Sequence, residues 1–174
     1  MSGLKDAGID IIGKKMTIVG AGGAATAIQV QAALDGVKEI SIFNRKDEFY
    51  ERAQKTVKDI NEKTNCKATL YDLEDLDKLK EEIASSYIFT NATGMGMKPL
   101  EGQTYIPDKS FLRKDLIVTD VVYAPAETAL LKMAKEVGCK TLNGFPMMLF
   151  QGAAAFKLWT NQDMPIEHVK EVMG

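Results

Sequence analysis

The residues with the clearest chemical potential come early in the chain. Val19-Gly20-Ala21-Gly22-Gly23-Ala24-Ala25-Thr26-Ala27 follows a short apolar run and contains almost nothing bulky. Gly20, Gly22 and Ala25 fill the pattern G-x-G-x-x-G/A. The first glycine of that pattern permits a tight turn, and the second lets a pyrophosphate approach bare backbone. The third small residue lets a helix sit close on its strand. Free amides at the start of such a helix carry partial positive charge and bind anions. A merely tight turn is the plain alternative. The position between a first strand and a first helix favours a dinucleotide.

A second group is Phe43-Asn44-Arg45-Lys46-Asp47, at the end of the next expected strand. The acidic residue that usually holds ribose hydroxyls is missing there. Asn44 can still hydrogen-bond a ribose, and Arg45 can stack on adenine or pair with a 2′-phosphate. Asp47 favours a free ribose hydroxyl and repels that phosphate, whereas Arg45 and Lys46 favour it. The cofactor is therefore NAD or NADP, tilted slightly to NAD by Asp47. A charged cap opening the next helix accounts for Asp47 equally well.

Oxidation of an alcohol by such a cofactor also needs a group that takes the hydroxyl proton. Lys98, Tyr123 and Asp120 are the candidates, none in an obvious acid–base pairing, and no serine–histidine or cysteine–histidine arrangement exists. His168, the only histidine, falls on a polar stretch of the last expected helix, so no metal site is expected. Cys66 and Cys139 are isolated and read as reduced thiols. Gln151 interrupts an apolar helix, where an amide wants a partner or a ligand.

The elements that must position these groups alternate. Strand-length apolar runs are expected at Met16–Val19, Glu39–Phe43, Ala68–Tyr71, Tyr87–Thr90, Leu116–Tyr123 and Lys140–Leu142. Helical spacing falls between them: Ala24 to Leu34, then Phe49, Ala53, Val57 and Ile60, then Leu73, Leu76, Leu79 and Ile83, then Thr128 to Val137. Two helices close the chain. This alternation predicts an α/β, doubly wound (Rossmann-type) parallel sheet of about six strands, order 3-2-1-4-5-6, with helices on both faces. The chain of 174 residues reads as one domain, residues 1–174, without repeats or linker. A net charge of -2 offers no basic field for nucleic acid or membrane. Without an apolar run long enough to span a bilayer or an apolar leader, a cytoplasmic protein is expected.

Taken in order, VGAGGAATA, FNRKDEF, TNATGMGMKP, DVVYAP and NGFPMMLFQGAAAFKLWT resemble the shikimate dehydrogenases, most closely their quinate/shikimate branch. The likeness runs from about Gly8 to the carboxy-terminus and covers only the family's cofactor-binding half. It implies an NAD(P)-dependent oxidoreductase of the shikimate pathway, acting on a secondary alcohol of shikimate or quinate. The family's lysine–aspartate catalytic pair and substrate-binding serines and threonines belong to the amino-terminal half. No catalytic residue is therefore assigned in this chain, and alone it is expected to be inactive. By the same resemblance, Ala21, Gly22, Gly23 and Ala24 cradle the pyrophosphate, and Asn44, Arg45, Lys46 and Asp47 surround the adenosine end. Val121, Val122, Tyr123 and Ala124, with Gly144, line the nicotinamide pocket, and Gln151 and Tyr123 reach the substrate. Two departures stand out: Gly94 where relatives of this branch can carry lysine, and Ala124 where asparagine is common.

Two rival classes stay open. A methyltransferase uses a similar turn but usually has an acid after the second strand, which Asn44 is not. A dinucleotide-sensing regulatory domain fits the lack of an acid–base pair. Surplus apolar residues between Phe145 and Trp159, with Ile166, Val169 and Met173, predict an exposed patch and self-association, such as a homodimer.

Overall fold

The structure, a computed structural model, describes residues 2–173. Six parallel strands form one sheet: β1 (Lys15–Val19), β2 (Glu39–Asn44), β3 (Lys67–Asp72), β4 (Ile88–Asn91), β5 (Ile117–Asp120) and β6 (Lys140–Leu142). Their order is β3-β2-β1-β4-β5-β6, as the alternation of elements predicts. The chain reverses direction of winding between β1 and β4, which are neighbours in the sheet. Seven helices accompany it: α1 (Ser2–Asp6), α2 (Gly23–Leu34), α3 (Tyr50–Lys63), α4 (Leu76–Ala84), α5 (Ala129–Val137), α6 (Phe145–Thr160) and α7 (Ile166–Met173).

The strands are apolar on both faces because helices cover both. Successive residues divide between two cores. Met16, Ile18, Ile40, Ile42 and Ile88 join Ala25, Ala32 and Ile60 of α2 and α3. Val19, Phe43, Phe89 and Val118 join Leu79, Ile83, Leu130 and Leu131 of α4 and α5. Local signals set the helix ends. Asp75 accepts a hydrogen bond from the Lys78 amide, and Thr128 from the Leu131 amide. Gly138, at φ 91°, ends α5 in the left-handed conformation that glycine adopts without strain.

One strand is shorter than its apolar run suggests. The run Leu116–Tyr123 predicts a longer strand, yet β5 ends at Asp120. The buried Asp120 carboxylate accepts from the Val122 amide (3.0 Å), Asn91 Nδ2 (2.9 Å) and Thr128 Oγ1 (2.7 Å), which turns the chain out of the sheet. Helix α1, with no periodicity to announce it, docks Leu4 into the first core.

The last two helices are the least covered. Leu149 is the only buried residue of α6, and α7 has none among the described residues. Leu158 and Trp159 are 85% and 84% exposed. No helix is long and apolar enough to cross a membrane among the described residues.

Candidate functional site

A crevice of about 490 Å³ opens at the carboxyl edge of the sheet, around the point where the winding reverses. Open α/β sheets bind ligands at this position. The turn after β1 forms one wall. Gly20 sits there at φ 117°, and a Cβ on it would lie 2.8 Å from the Ala92 carbonyl oxygen and 2.9 Å from Thr93 Cγ2. Only glycine fits that approach. The carbonyl of Gly20 accepts from Nε2 of the fully buried Gln29 at 2.8 Å, which anchors the turn to α2.

Gly22 and Gly23 are small for a different reason. A Cβ built on either meets no protein atom within 4 Å, so packing does not require glycine at these positions. Both face the crevice. Helix α2 has no side-chain cap, so its first amides remain available as donors. Bare backbone, free amides and open space suit a pyrophosphate, and Ala21 and Ala24 complete that wall. The residues present fit a dinucleotide.

The second wall follows β2. Asn44 Nδ2 donates to Asp47 Oδ1 (3.0 Å) and to the Arg45 carbonyl (2.7 Å), while Asp47 Oδ1 also accepts from the Phe49 amide (3.0 Å). Asp47 thus lines the crevice and also braces the approach to α3. Arg45 lines the crevice with its guanidinium 5.6 Å from the Tyr105 ring centroid. Lys46 does not join them. Its ammonium pairs with Asp72 at 3.0 Å, outside the residues lining the crevice, and that hydrogen bond raises the lysine pKa. Asp72, paired with Asn44 across β2 and β3, draws the side chain away.

The floor comes from the chain leaving β5. Val121 through Ala124 line the crevice, with Val122 buried and Tyr123 exposed at the rim. Gly144 lies beneath the floor and does not open onto the crevice. Its amide donates to the Val122 carbonyl at 3.0 Å, and a Cβ there would fall 1.9 Å from the Val121 oxygen. It lines a separate apolar cavity of about 130 Å³ on the α2–α6 side. Gln151 also departs from expectation. It is exposed on the outer face of α6 and lines neither space, whereas Pro146, Met147 and Phe150 of the same helix face the apolar cavity.

The proton-acceptor candidates do not converge. Burial pushes the Asp120 carboxyl pKa up, against the hydrogen bonds it accepts from Val122, Thr128 and Asn91. With its lone pairs so engaged it pins the loop to β4 and α5. Lys98 is exposed and lines no part of the crevice. Among the described residues no group of three or more His, Cys, Asp and Glu side chains could hold a metal ion. Cys66 and Cys139 are buried, and burial pushes the Cys66 thiol up to about 11. The crevice also contains Phe49 and Leu73, which their periodicity marks only as helix-face residues, and Tyr105, which no pattern marks. Tyr105 lies in the long aperiodic segment after β4, and only its aromatic character between polar and proline residues hinted at a use.

Comparison with known proteins agrees with this geometry. Residues 144–173 match the family described as Shikimate 5′-dehydrogenase C-terminal domain. The shikimate dehydrogenase (NADP(+)) of Listeria innocua is 65% identical over 173 residues, which is 99% of this chain and 60% of that protein. The crystal structure of shikimate 5-dehydrogenase from Listeria monocytogenes, in complex with shikimate and NAD, is 64% identical. It superposes with a TM-score of 0.97 over 100% of this chain and 60% of its own. Quinate dehydrogenase from Corynebacterium glutamicum, in complex with NAD, is 31% identical, with a TM-score of 0.85 over 98% of this chain and 58% of its own. The chain thus spans about three-fifths of the length of the relatives it matches.

Proposed function

The chain belongs to the shikimate dehydrogenase family as the counterpart of its carboxy-terminal part, and from that premise we propose that it is the single, dinucleotide-binding domain of a cytoplasmic enzyme that oxidises a secondary hydroxyl of shikimate or quinate. The observation that carries the proposal is the pair Gly22 and Gly23, open to the crevice at the uncapped start of α2 where no packing demands glycine. When bound, the nicotinamide supplies the acceptor for a hydride from the alcohol carbon, and the hydroxyl proton passes to a base, leaving a ketone.

In this proposal the turn from Gly20 to Ala24 binds the pyrophosphate through backbone amides. Asn44, Asp47 and Arg45 hold the adenosine end, without Lys46, whose ammonium is engaged by Asp72. Val121 to Ala124 form the floor, and Gly144 supports it from below. Tyr123 is the side chain on this chain best placed to meet substrate, at the rim. Gln151 could act only if its exposed face of α6 met substrate from outside the crevice. We assign the proton acceptor outside this chain, because Asp120 is engaged, Lys98 lies off the crevice, and Tyr123 at the rim has no hydrogen-bonded partner among the described residues to draw its proton.

NAD is bound at least as well as NADP. The support is the fixed position of the Asp47 carboxylate beside Asn44, where a 2′-phosphate would meet a negative charge. A dinucleotide-sensing domain is favoured by one observation, the lack of an acid–base pair in the crevice among the described residues, and the same experiment separates it. NAD and NADP are titrated calorimetrically, and reduced-cofactor absorbance is followed with shikimate and with quinate, first with this chain alone and then with the amino-terminal part of a relative. Binding of both cofactors without turnover, and turnover on mixing, is the expected result. A tenfold preference for NADP, about 1.4 kcal/mol, refutes the cofactor assignment, and turnover by the chain alone refutes the placement of the base.

A further inference from the structure

We infer that Tyr105 is a positioning residue for the adenine end of the crevice, holding the Arg45 guanidinium in place as one wall of a purine slot. The inference rests on the dinucleotide site proposed above and extends it to a residue outside the expected set.

Arg45 is exposed and has no carboxylate partner among the described residues. The nearest acid in sequence, Asp47, is bonded to Asn44 and to the Phe49 amide. A long cationic side chain without a partner loses considerable rotamer entropy when it is fixed. Here the Tyr105 ring supplies a location, 5.6 Å from the guanidinium carbon. Tyr105 is itself fixed, because it packs on the α4–α5 core beside the fully buried Ile106.

The neighbours point to a flat, π-rich ligand. Leu73, just past β3, and Phe49, at the start of α3, line the same crevice. The floor, by contrast, follows β5, three strands across from β2. Aromatic and aliphatic faces with a planar cation recognise a purine base through stacking and dispersion, with no need for hydrogen-bond readout. A ring-held Arg45 also explains how a chain with arginine at this position can bind a cofactor lacking a 2′-phosphate, since the guanidinium is engaged with a π face.

The test titrates NAD and ADP-ribose into the wild-type chain and into Tyr105→Phe, Tyr105→Leu, Arg45→Ala, Tyr105→Ala and the last two combined. Unfolding curves check that each variant is folded. Tyr105→Ala and Tyr105→Leu are expected to weaken NAD and ADP-ribose equally, by about fivefold, while Tyr105→Phe stays within about twofold of wild type. The combined variant is expected to bind no more weakly than Arg45→Ala alone, because the tyrosine acts through the arginine. Wild-type affinity in Tyr105→Leu, a loss for NAD without one for ADP-ribose, or fully additive losses overturn the inference. If the wild-type chain binds neither ligand, the dinucleotide proposal itself fails and this one falls with it.

Discussion

Replacing Glu82 by glutamine is expected to destabilise the fold at neutral pH and to flatten its acid response. Glu82 lies on the sheet-facing side of α4, with a side chain only 6% exposed. It accepts from Ser41 Oγ at 2.6 Å and pairs with Lys15 at 2.7 Å and Lys78 at 2.9 Å. Burial pushes its pKa up, but the hydrogen bonds from Lys15, Ser41 and Lys78 outweigh that and hold it at about 2, against 4.5 for a free carboxyl. The unfolded chain therefore takes up this proton as pH falls through about 4.5, while the folded chain resists until about 2. Above 4.5 the full contribution to stability is present; it declines between 4.5 and 2 and is gone below. That separation corresponds to about 3 kcal/mol, in line with the cost of breaking a buried pair from one side. Urea unfolding of wild type and Glu82→Gln from pH 7 to pH 2.5 measures it. The variant should be weaker by about that amount at pH 7, and the two curves should converge on acidification. Asp120, with its pKa raised by burial, is common to both chains and cancels in the difference. A gap that stays constant to pH 2.5 would refute the assignment of the ionised state to Glu82.

Gly22→Val should weaken NAD binding by a hundredfold or more, about 2.7 kcal/mol, while the chain stays folded with no more than the small loss of a poorer N-cap, because no protein atom lies within 4 Å of its Cβ. Near wild-type affinity in a folded Gly22→Val chain would remove the turn from the site. The uncovered apolar side chains of α6 and α7, with Trp159 at 84% exposure, should produce self-association that rises with concentration in light scattering and disappears in Trp159→Glu. A monomer at every concentration would count against it.

The sheet was legible because its information is local and repeated. Apolar runs of strand length, alternating with 3.6-residue periodicity, leave few arrangements, and the strand order follows from right-handed crossovers. The turn at Gly20 was legible for the same reason, since its constraint is written in three neighbouring positions. Side-chain direction was not. Lys46 sits in the expected stretch yet turns to Asp72, and only the register of β2 on β3 brings that acid within reach. Gln151 reads as an amide in need of a partner because an apolar helix suggests burial, whereas it falls on the exposed face of an α6 that is only half-buried along most of its apolar length. The end of β5 depended on Asn91 and Thr128, which approach Asp120 only in the folded chain. Tyr105 became visible as a neighbour of Arg45 for the same reason, across a loop without a pattern.

The glycine beneath the floor ties two distant parts of the molecule together mechanically. At Gly144 the backbone entering α6 rests against the carbonyl of Val121 with no room for even a methyl group, and its amide grips Val122. Such a contact cannot yield by rotating a side chain, so the start of α6 and the floor translate as one piece. A ligand whose affinity differed between two positions of the start of α6 would therefore be linked to occupancy of the crevice, each changing the affinity for the other by the same factor.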